Sequence, residues 1–396
     1  MTSILKKTKS ICPTCLIKIE AKVIEKNNKV YMIKKCPKHG KFTVLVEKDV
    51  EFYKKTMNKY PVNRKRRTIN LMIPFTHKCN LNCNFCWLPQ KNRKDFSIDY
   101  LKKVISNSNY NKIRISGGEP TVRNGLFDFI RFIKKRKIIS GLLTNGIKLA
   151  NLDYVKKLKD AGLSGVCFSF NTFNDDVYKK LNGQKLLKVK LKALENLKNV
   201  GLPVSFSVML VKGDNDKELR EMLNYCLENN SFIHELRIRS PAPFGKYIKS
   251  EKIFVSEMIN MFSKILGINR KEFIKSIDKN DKPCSLSCIL QFYKEGNHIY
   301  SLTLTKGWLM KPMNKIALAF KLLRKFKIKL LFKLIRNKVK KRGKFLRLKL
   351  EIRSWPTKYN IDWEEIERCP TSQLSNKGAI PFCYSMILNN ENIIEL

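Results

Sequence analysis

The stretch Cys79-Asn80-Leu81-Asn82-Cys83-Asn84-Phe85-Cys86 begins just beyond the apolar run TINLMIPF at 68–75, after Thr76, His77 and Lys78. Three thiols this close suit a soft metal, yet a closed structural zinc or iron–sulfur site asks for four ligands. Either a fourth ligand lies elsewhere, or one metal position stays open. Working outward, five more apolar runs follow: KIRIS (112–116), IISGLLT (138–144), GVCFSF (165–170), VSFSVMLV (204–211) and IHELRIRS (233–240). Between them lie charged segments such as SIDYLKKVISN and LLKVKLKALENLKNVG, whose apolar residues recur at three or four. Strand–helix alternation of this kind predicts a parallel sheet with helical crossovers, either an open doubly wound sheet or a curved, incomplete barrel. Ligands on such folds sit at the carboxyl ends of the strands. The unusual residues collect there: the cysteine loop, then SGGEPTVR, TNG and NTFND.

The chain has 396 residues, 43% of them apolar, which allows two or three domains with a buried core. Twelve cysteines are too sparse for a disulfide scaffold, and their clustering reads as metal ligation in a reducing compartment. The first fifteen residues lack a long apolar stretch, and nowhere do about 18 apolar residues run together. The expectation is a cytoplasmic protein, peripheral at the inner face of the membrane if it binds lipid. A formal charge of +47 calls for an anionic partner: nucleic acid, a membrane surface or an acidic substrate. Part of that charge is simply a lysine-rich composition coating solvated faces.

Residues 1–62 read as a small metal-binding knuckle. Cys12-Pro13-Thr14-Cys15 and Cys36-Pro37-Lys38-His39-Gly40 bracket two short alternating strands, so Cys12, Cys15, Cys36 and His39 are candidate ligands for a mononuclear iron or zinc. A ribbon whose fourth ligand is water, or absent, is the alternative. The basic linker Asn63–Arg67 leads into the strand–helix core, set at 63–265. Residues 266–396 carry Cys284, Cys288, Cys369 and Cys383, enough thiolates to close a second, auxiliary cluster. Cys167, mid-strand, and Cys226, on a helix flank, are expected to be core thiols.

The C-x3-C-x2-C spacing after the first strand, with Phe85 before the last cysteine, resembles the radical S-adenosylmethionine superfamily. The resemblance implies an incomplete parallel (β/α)6 barrel and a [4Fe–4S] cluster held by Cys79, Cys83 and Cys86. Its fourth iron binds S-adenosylmethionine, and the family cleaves that molecule to a 5′-deoxyadenosyl radical with one electron from a donor such as ferredoxin or flavodoxin. By the same resemblance, Gly117, Gly118 and Glu119 receive the methionine amino group, while Asn145, Ser169 and Asn171 contact its carboxylate and the ribose. Val211 and Gly213 would wall the adenine pocket. The family's fourth strand more often ends in Ser-x-Asp, and Asn171 departs from that. CPTC…CPKHG, CNLNCNFC, FSFNTFND, LVKGDND, CSLSC and ERCP…GAIPFC together resemble the tetraether lipid synthases and their relatives, the class D radical methyltransferases. That subfamily divides between joining lipid chains and methylating a pterin, and the stretch between Cys288 and Cys369 has no counterpart. A catalytic acid or base cannot be named from sequence.

That stretch is the most basic of the chain, with no acidic residue from Gly296 to Leu350. Ile316, Ala319, Phe320, Leu323, Leu330 and Leu334, with Phe326 and Leu331 near the same stripe, follow helical spacing among lysines. A basic amphipathic helix of this kind reads as an interfacial membrane element over about 300–350, which favours a lipid-chain substrate. The other readings are a core helix with solvated lysines and a nucleic-acid surface, the latter disfavoured because aromatics for base stacking are few. A peptide-modifying radical enzyme and, outside enzymes, a zinc-bearing nucleic-acid-binding protein remain as rivals.

Overall fold

The computed structural model describes residues 2–57, 69–88, 93–242, 252–277, 282–295, 298–306, 344–367 and 369–390. The N-terminal unit is an antiparallel meander of β1 (Thr2–Ile11), β2 (Lys18–Lys26), β3 (Lys29–Cys36) and β4 (Gly40–Glu47), followed by α1 (Val50–Met57). Two strands lie between the cysteine pairs, as their alternation predicts, and one more flanks each side. Asn27 and Asn28 turn β2 into β3 with φ of 50° and 54°, the positive values that tight hairpins require and asparagine tolerates. Val23, Val30 and Met32 face one way and pack on Val50 and Tyr53 of α1.

The core is a parallel run of β5 (Asn70–Thr76), β6 (Lys112–Gly117), β7 (Ile139–Thr144), β8 (Gly165–Ser169), β9 (Val204–Met209) and β10 (Ile233–Arg239). The helices α2 (Ile98–Ser106), α3 (Leu126–Lys135), α4 (Leu152–Asp160), α5 (Asp175–Asn182), α6 (Leu187–Val200) and α7 (Leu219–Glu228) fall between the strands. Ser97, Asn151 and Asn174 cap three of them by accepting from backbone N–H groups in the first turn. Apolar stripes such as Leu126, Phe129, Ile130 and Ile133 of α3 then bury against the sheet, where they join one continuous core.

The sheet continues on both flanks. β13 (Lys344–Arg353) pairs parallel with β10, and β11 (Ser285–Glu295) lies antiparallel to it, followed by β12 (His298–Lys306). On the far side β14 (Thr371–Ser375) pairs parallel with β5, β15 (Gly378–Pro381) turns back on it, and the helix Phe382–Asn390 follows. This is an α/β fold built on an incomplete parallel barrel; the strand–helix rhythm predicts the parallel sheet, and the family resemblance implies the barrel.

Three expectations need amendment or fall outside the description. The boundary at 265/266 falls inside the helix Val255–Leu266, and residues after it add strands to the core sheet. The basic segment begins and ends as strand, with 300–306 in β12 and 344–350 in β13, because both ends pair with β11. The residues between, including Ile316, Ala319, Phe320, Leu323, Phe326, Leu330, Leu331 and Leu334, lie outside the described residues, as do the linker Asn63–Arg67 and the 62/63 boundary. Among the described residues no helix is long and apolar enough to cross a membrane.

Candidate functional site

The carboxyl ends of the core strands surround a cleft of about 1010 Å³. Cys79, Cys83 and Cys86 line it from the loop after β5, Gly117, Gly118 and Glu119 from the end of β6, and Asn145 from the loop after β7. Ser169 and Asn171 line it from the end of β8. Every residue named for the cluster and the methionine end therefore reaches one cavity.

The two glycines stand where the backbone leaves no room for a side chain. A Cβ on Gly117 would stand 2.1 Å from the Thr76 carbonyl oxygen, and one on Gly118 would stand 2.2 Å from that of Lys78. Gly117 also has φ of +122°, a value side chains rarely adopt. The close approach is thus to the backbone leading into the cysteine loop. Gly118 N–H donates to Thr76 O at 2.6 Å and Glu119 N–H to Lys78 O at 2.9 Å, so one loop is laced onto the other. The Glu119 carboxylate is 1% exposed and accepts from Thr121 N–H, Thr121 Oγ1, Thr144 Oγ1 and Asn145 N–H. Burial raises its pKa against the pull of those donors, with Asn145 N–H the foremost. Three of these donors converge on Oε1 and Asn145 N–H alone reaches Oε2, so Glu119 ties the loops after β6 and β7 together.

Asn145 extends the lacing. Its Nδ2 donates to Asn80 Oδ1 in the cysteine loop at 2.7 Å. Asn171 is fully buried; it accepts from Met209 N–H at 3.0 Å and donates to Asn182 Oδ1 at 3.3 Å. Each amide atom of Asn171 thus makes one bond to protein, which fixes the side chain where it lines the cleft. Val211 and Gly213 do not line the cleft: Val211 is buried, and Gly213 lies exposed on a turn. Ser207 and Met209 of β9 face the cavity instead. Cys167, expected in the core, also lines the cleft and accepts from Arg237 Nη1 at 3.6 Å, because the inner face of β8 looks into the barrel. Cys226 is a core thiol as expected, and burial raises it well above the usual range.

Two buried residues support the cysteine loop that sequence patterning overlooks. Asn182, at the end of α5, donates to Cys83 Sγ at 3.1 Å. Lys190 of α6 is fully buried and donates to the carbonyls of Asn145 at 2.9 Å and Ser169 at 2.5 Å. Burial lowers the Lys190 pKa to about 8, opposed by the charges of Cys83 and Glu119. The available signal was a lysine on the apolar stripe of α6, in line with Ala193, Leu194 and Leu197. Three thiols with an amide donor and a buried cation beside them suit an anionic metal–thiolate group.

A second donor set stands in the N-terminal unit. The ligand atoms of Cys12, Cys15, Cys36 and His39 lie within 4.8 Å of one another, a spacing for a single ion. His39 Nδ1 is 3.6 Å from Cys12 Sγ and 3.5 Å from Cys36 Sγ. Burial pushes the Cys12 thiol up, but the N–H groups of Cys15 and Thr14 outweigh it and bring it to about 6. The imidazole thus stands where the fourth ligand is expected.

A third set lies where the two flanks of the sheet meet. Cys284, just before β11, shares a cavity with Cys369, just before β14, and with Cys383, in the first turn of the closing helix. Lys252 and Lys282 line the same cavity, and burial raises the Cys284 thiol although the charge of Arg353 opposes it. Cys288 is not brought there. It is fully buried in β11 and packs with Leu286 and Leu290 in the main core. Four residues along an extended strand span about 13 Å, too far for Cys284 and Cys288 to meet at one small cluster. Three of the four expected cysteines gather.

Residues 73–226 match the Radical SAM superfamily. A "Probable GTP 3',8-cyclase" of Methanococcus maripaludis is 31% identical over 223 residues, 53% of this chain and 74% of that protein. The chain belongs to the radical S-adenosylmethionine superfamily. Radical SAM enzymes carry a [4Fe–4S] cluster and S-adenosylmethionine, and the cysteine loop and cleft fit both. Residues 4–48 match the HMPTM N-terminal zinc ribbon domain, which contains the Cys12, Cys15, Cys36 and His39 set. The "7,8-dihydro-6-hydroxymethylpterin dimethyltransferase" of Methanocaldococcus jannaschii is 35% identical over 274 residues, 61% of this chain but 54% of that protein. The match thus spans about half the length of that relative. Among solved structures, Streptococcus suis SuiB bound to its precursor peptide aligns with a TM-score of 0.46 at 19% identity, covering 52% of this chain and 46% of that one.

Proposed function

We propose that this radical SAM enzyme functionalises a C–H bond of a small heterocycle related to a reduced pterin, with methyl transfer as the reaction. The observation that carries the reading is the joining of an HMPTM-type zinc ribbon at 4–48 to a radical SAM core at 73–226. The similarity to a pterin dimethyltransferase supports it. Cys79, Cys83 and Cys86 hold the cluster, which with S-adenosylmethionine supplies a 5′-deoxyadenosyl radical. Gly117, Gly118 and Glu119 set the distance between the cysteine loop and the end of β6. Asn145 and Ser169 present their polar groups to the methionine end, and Lys190 fixes both backbones by their carbonyls. Asn182 donates to Cys83 and moderates the charge on that sulfur. Cys12, Cys15, Cys36 and His39 hold a zinc or iron ion that secures the N-terminal unit. Cys284, Cys369 and Cys383 hold an auxiliary iron–sulfur cluster. A one-electron donor of the ferredoxin or flavodoxin kind completes the system.

A lipid chain is the less supported substrate. The apolar positions that motivated it lie outside the described residues, and the inner barrel wall is cationic, which an alkyl chain leaves unpaired. Anaerobic turnover with 7,8-dihydro-6-hydroxymethylpterin and an excess of methyl-deuterated S-adenosylmethionine tests the proposal, because the molecule cleaved to the radical keeps its methyl group on methionine and a second molecule donates the methyl that is transferred. A pterin product heavier by a labelled methyl group is expected. Formation of 5′-deoxyadenosine with every pterin unchanged would overturn it.

A further inference from the structure

Beside the cleft lies a second cavity of about 620 Å³, and the two share Phe85, Trp87, Ser116, Leu143, Met209 and Arg239. It is the inside of the barrel. Its charged lining is Arg114 from β6, Arg237 and Arg239 from β10, and Arg353 from β13. These residues alternate along their strands with Ile113, Ile115, Leu236, Ile238 and Ile352, which pack in the core, so they stand on the inward face.

Only part of that charge is compensated. Glu351 Oε1 accepts from Arg237 Nη2 at 2.8 Å and stands 3.4 Å from Arg353 Nη2. Glu235 lies 3.8 Å from Arg237 Nε but 2.7 Å from Lys349 Nζ, so Lys349 is its closer partner. Four guanidinium groups thus face two carboxylates, one of which is shared with a lysine. Among the described residues Arg114 and Arg239 have no carboxylate in ion-pair range, and Arg239 Nε is buried without a hydrogen-bond partner. Burial, then the neighbouring Arg237, lowers Arg239 to about 10 and lowers Arg114 too, the mark of cations crowded together without a counter-ion. The lining also includes an aromatic group: Phe382 stands 5.9 Å from Trp87 and 5.4 Å from Trp355, and Arg353 lies 5.4 Å above the Trp355 ring.

We propose that this cavity is the substrate subsite, and that the substrate is a planar heterocycle bearing an anionic group, phosphate or carboxylate, held by Arg114 and Arg239. Planar guanidinium groups suit both anions through paired N–H donors, and the indole and phenyl faces suit the ring. Because Arg239 lines both cavities, an anion there sets the ring beside the S-adenosylmethionine cleft. The proposal rests on the heterocycle reading above and adds the anion to it.

The test is binding to the reconstituted holoenzyme, read by calorimetry and by quenching of tryptophan fluorescence. Three probes are compared: 7,8-dihydro-6-hydroxymethylpterin, its phosphate monoester and pterin-6-carboxylate. The phosphate ester or the carboxylate should bind about tenfold or more tightly than the neutral pterin, as charge-assisted hydrogen bonds warrant, and the tighter of the two names the anion. Arg239→Gln should remove that preference while the neutral pterin binds as before, and Arg239→Lys should restore part of it. Equal binding of all three probes overturns the anion and leaves the heterocycle intact. Binding of none overturns both. A shift of the cluster's midpoint potential in Arg239→Gln, with the preference unchanged, would assign the arginine to balancing cluster charge and likewise overturn the proposal.

Discussion

At the scale of single residues, the site is held by buried polar groups that carry no motif. Lys190 is the clearest case. Replacing it with Met leaves the Asn145 and Ser169 carbonyls without their donor, at about 1–3 kcal/mol for each unsatisfied group. Lys190→Met is expected to lower the melting temperature and to cut S-adenosylmethionine cleavage about tenfold or more, while iron content stays near that of the parent. Loss of iron instead would place the lysine's role at the cluster itself. Glu47 offers a pH test away from the cleft. It is 2% exposed, accepts from Ser256 Oγ at 2.6 Å and Lys48 N–H at 2.7 Å, and burial raises its pKa from 4.5 to about 7 despite those donors. Between those values the folded state keeps a proton that the unfolded state has lost. Stability from this group therefore falls as pH rises through that window, by at most about 3 kcal/mol, and levels off above it. Glu47→Gln should flatten the melting temperature between pH 5 and 8, and an unchanged slope would count against the assignment. Sequence offered the ligands at this scale because thiols and glycines are chemically distinctive. Lys190 and Asn182 look like ordinary helix residues, and only folding shows which face they bury.

At the scale of elements, the loops after β5 and β6 act as one piece. Gly118→Ala should push the Lys78 carbonyl away, since its Cβ would come within 2.2 Å, and so displace the cysteine loop. The expected outcome is a folded protein with reduced cluster occupancy after reconstitution, read from iron and sulfide content. Full occupancy with intact cleavage would show that the loop yields without cost. The six core strands and their crossover helices were legible because period-two and helical spacing are local properties of sequence. The flanking strands were not. β11 and β13 pair only with partners far along the chain, and β14 finds its neighbour β5 from some 300 residues away. Cys288 misled for the same reason. A C-x3-C spacing suggests a shared cluster only while its backbone is assumed to be curled, and here it is extended.

At the scale of the whole molecule, the open sheet draws its two flanks together around Cys284, Cys369 and Cys383, so an auxiliary cluster would staple the barrel's seam. Cys284→Ala is expected to lose about one cluster's worth of iron and some thermal stability, whereas Cys288→Ala should keep its iron and lose only core packing. Equal iron loss in the two variants would restore Cys288 to the ligand set. Net charge, the most conspicuous whole-chain property, called for an anionic partner without indicating where one would bind. Four arginines line the inner barrel: Arg114 within KIRIS, Arg237 and Arg239 within ELRIRS, and Arg353 of β13. The central claim is that Cys79, Cys83 and Cys86 hold a cluster that cleaves S-adenosylmethionine reductively. The most direct measurement is 5′-deoxyadenosine formed by the anaerobically reconstituted, dithionite-reduced protein and by its Cys79→Ala/Cys83→Ala/Cys86→Ala variant. The account predicts 5′-deoxyadenosine from the parent and none from the variant, which keeps its auxiliary iron; equal 5′-deoxyadenosine from both would contradict it.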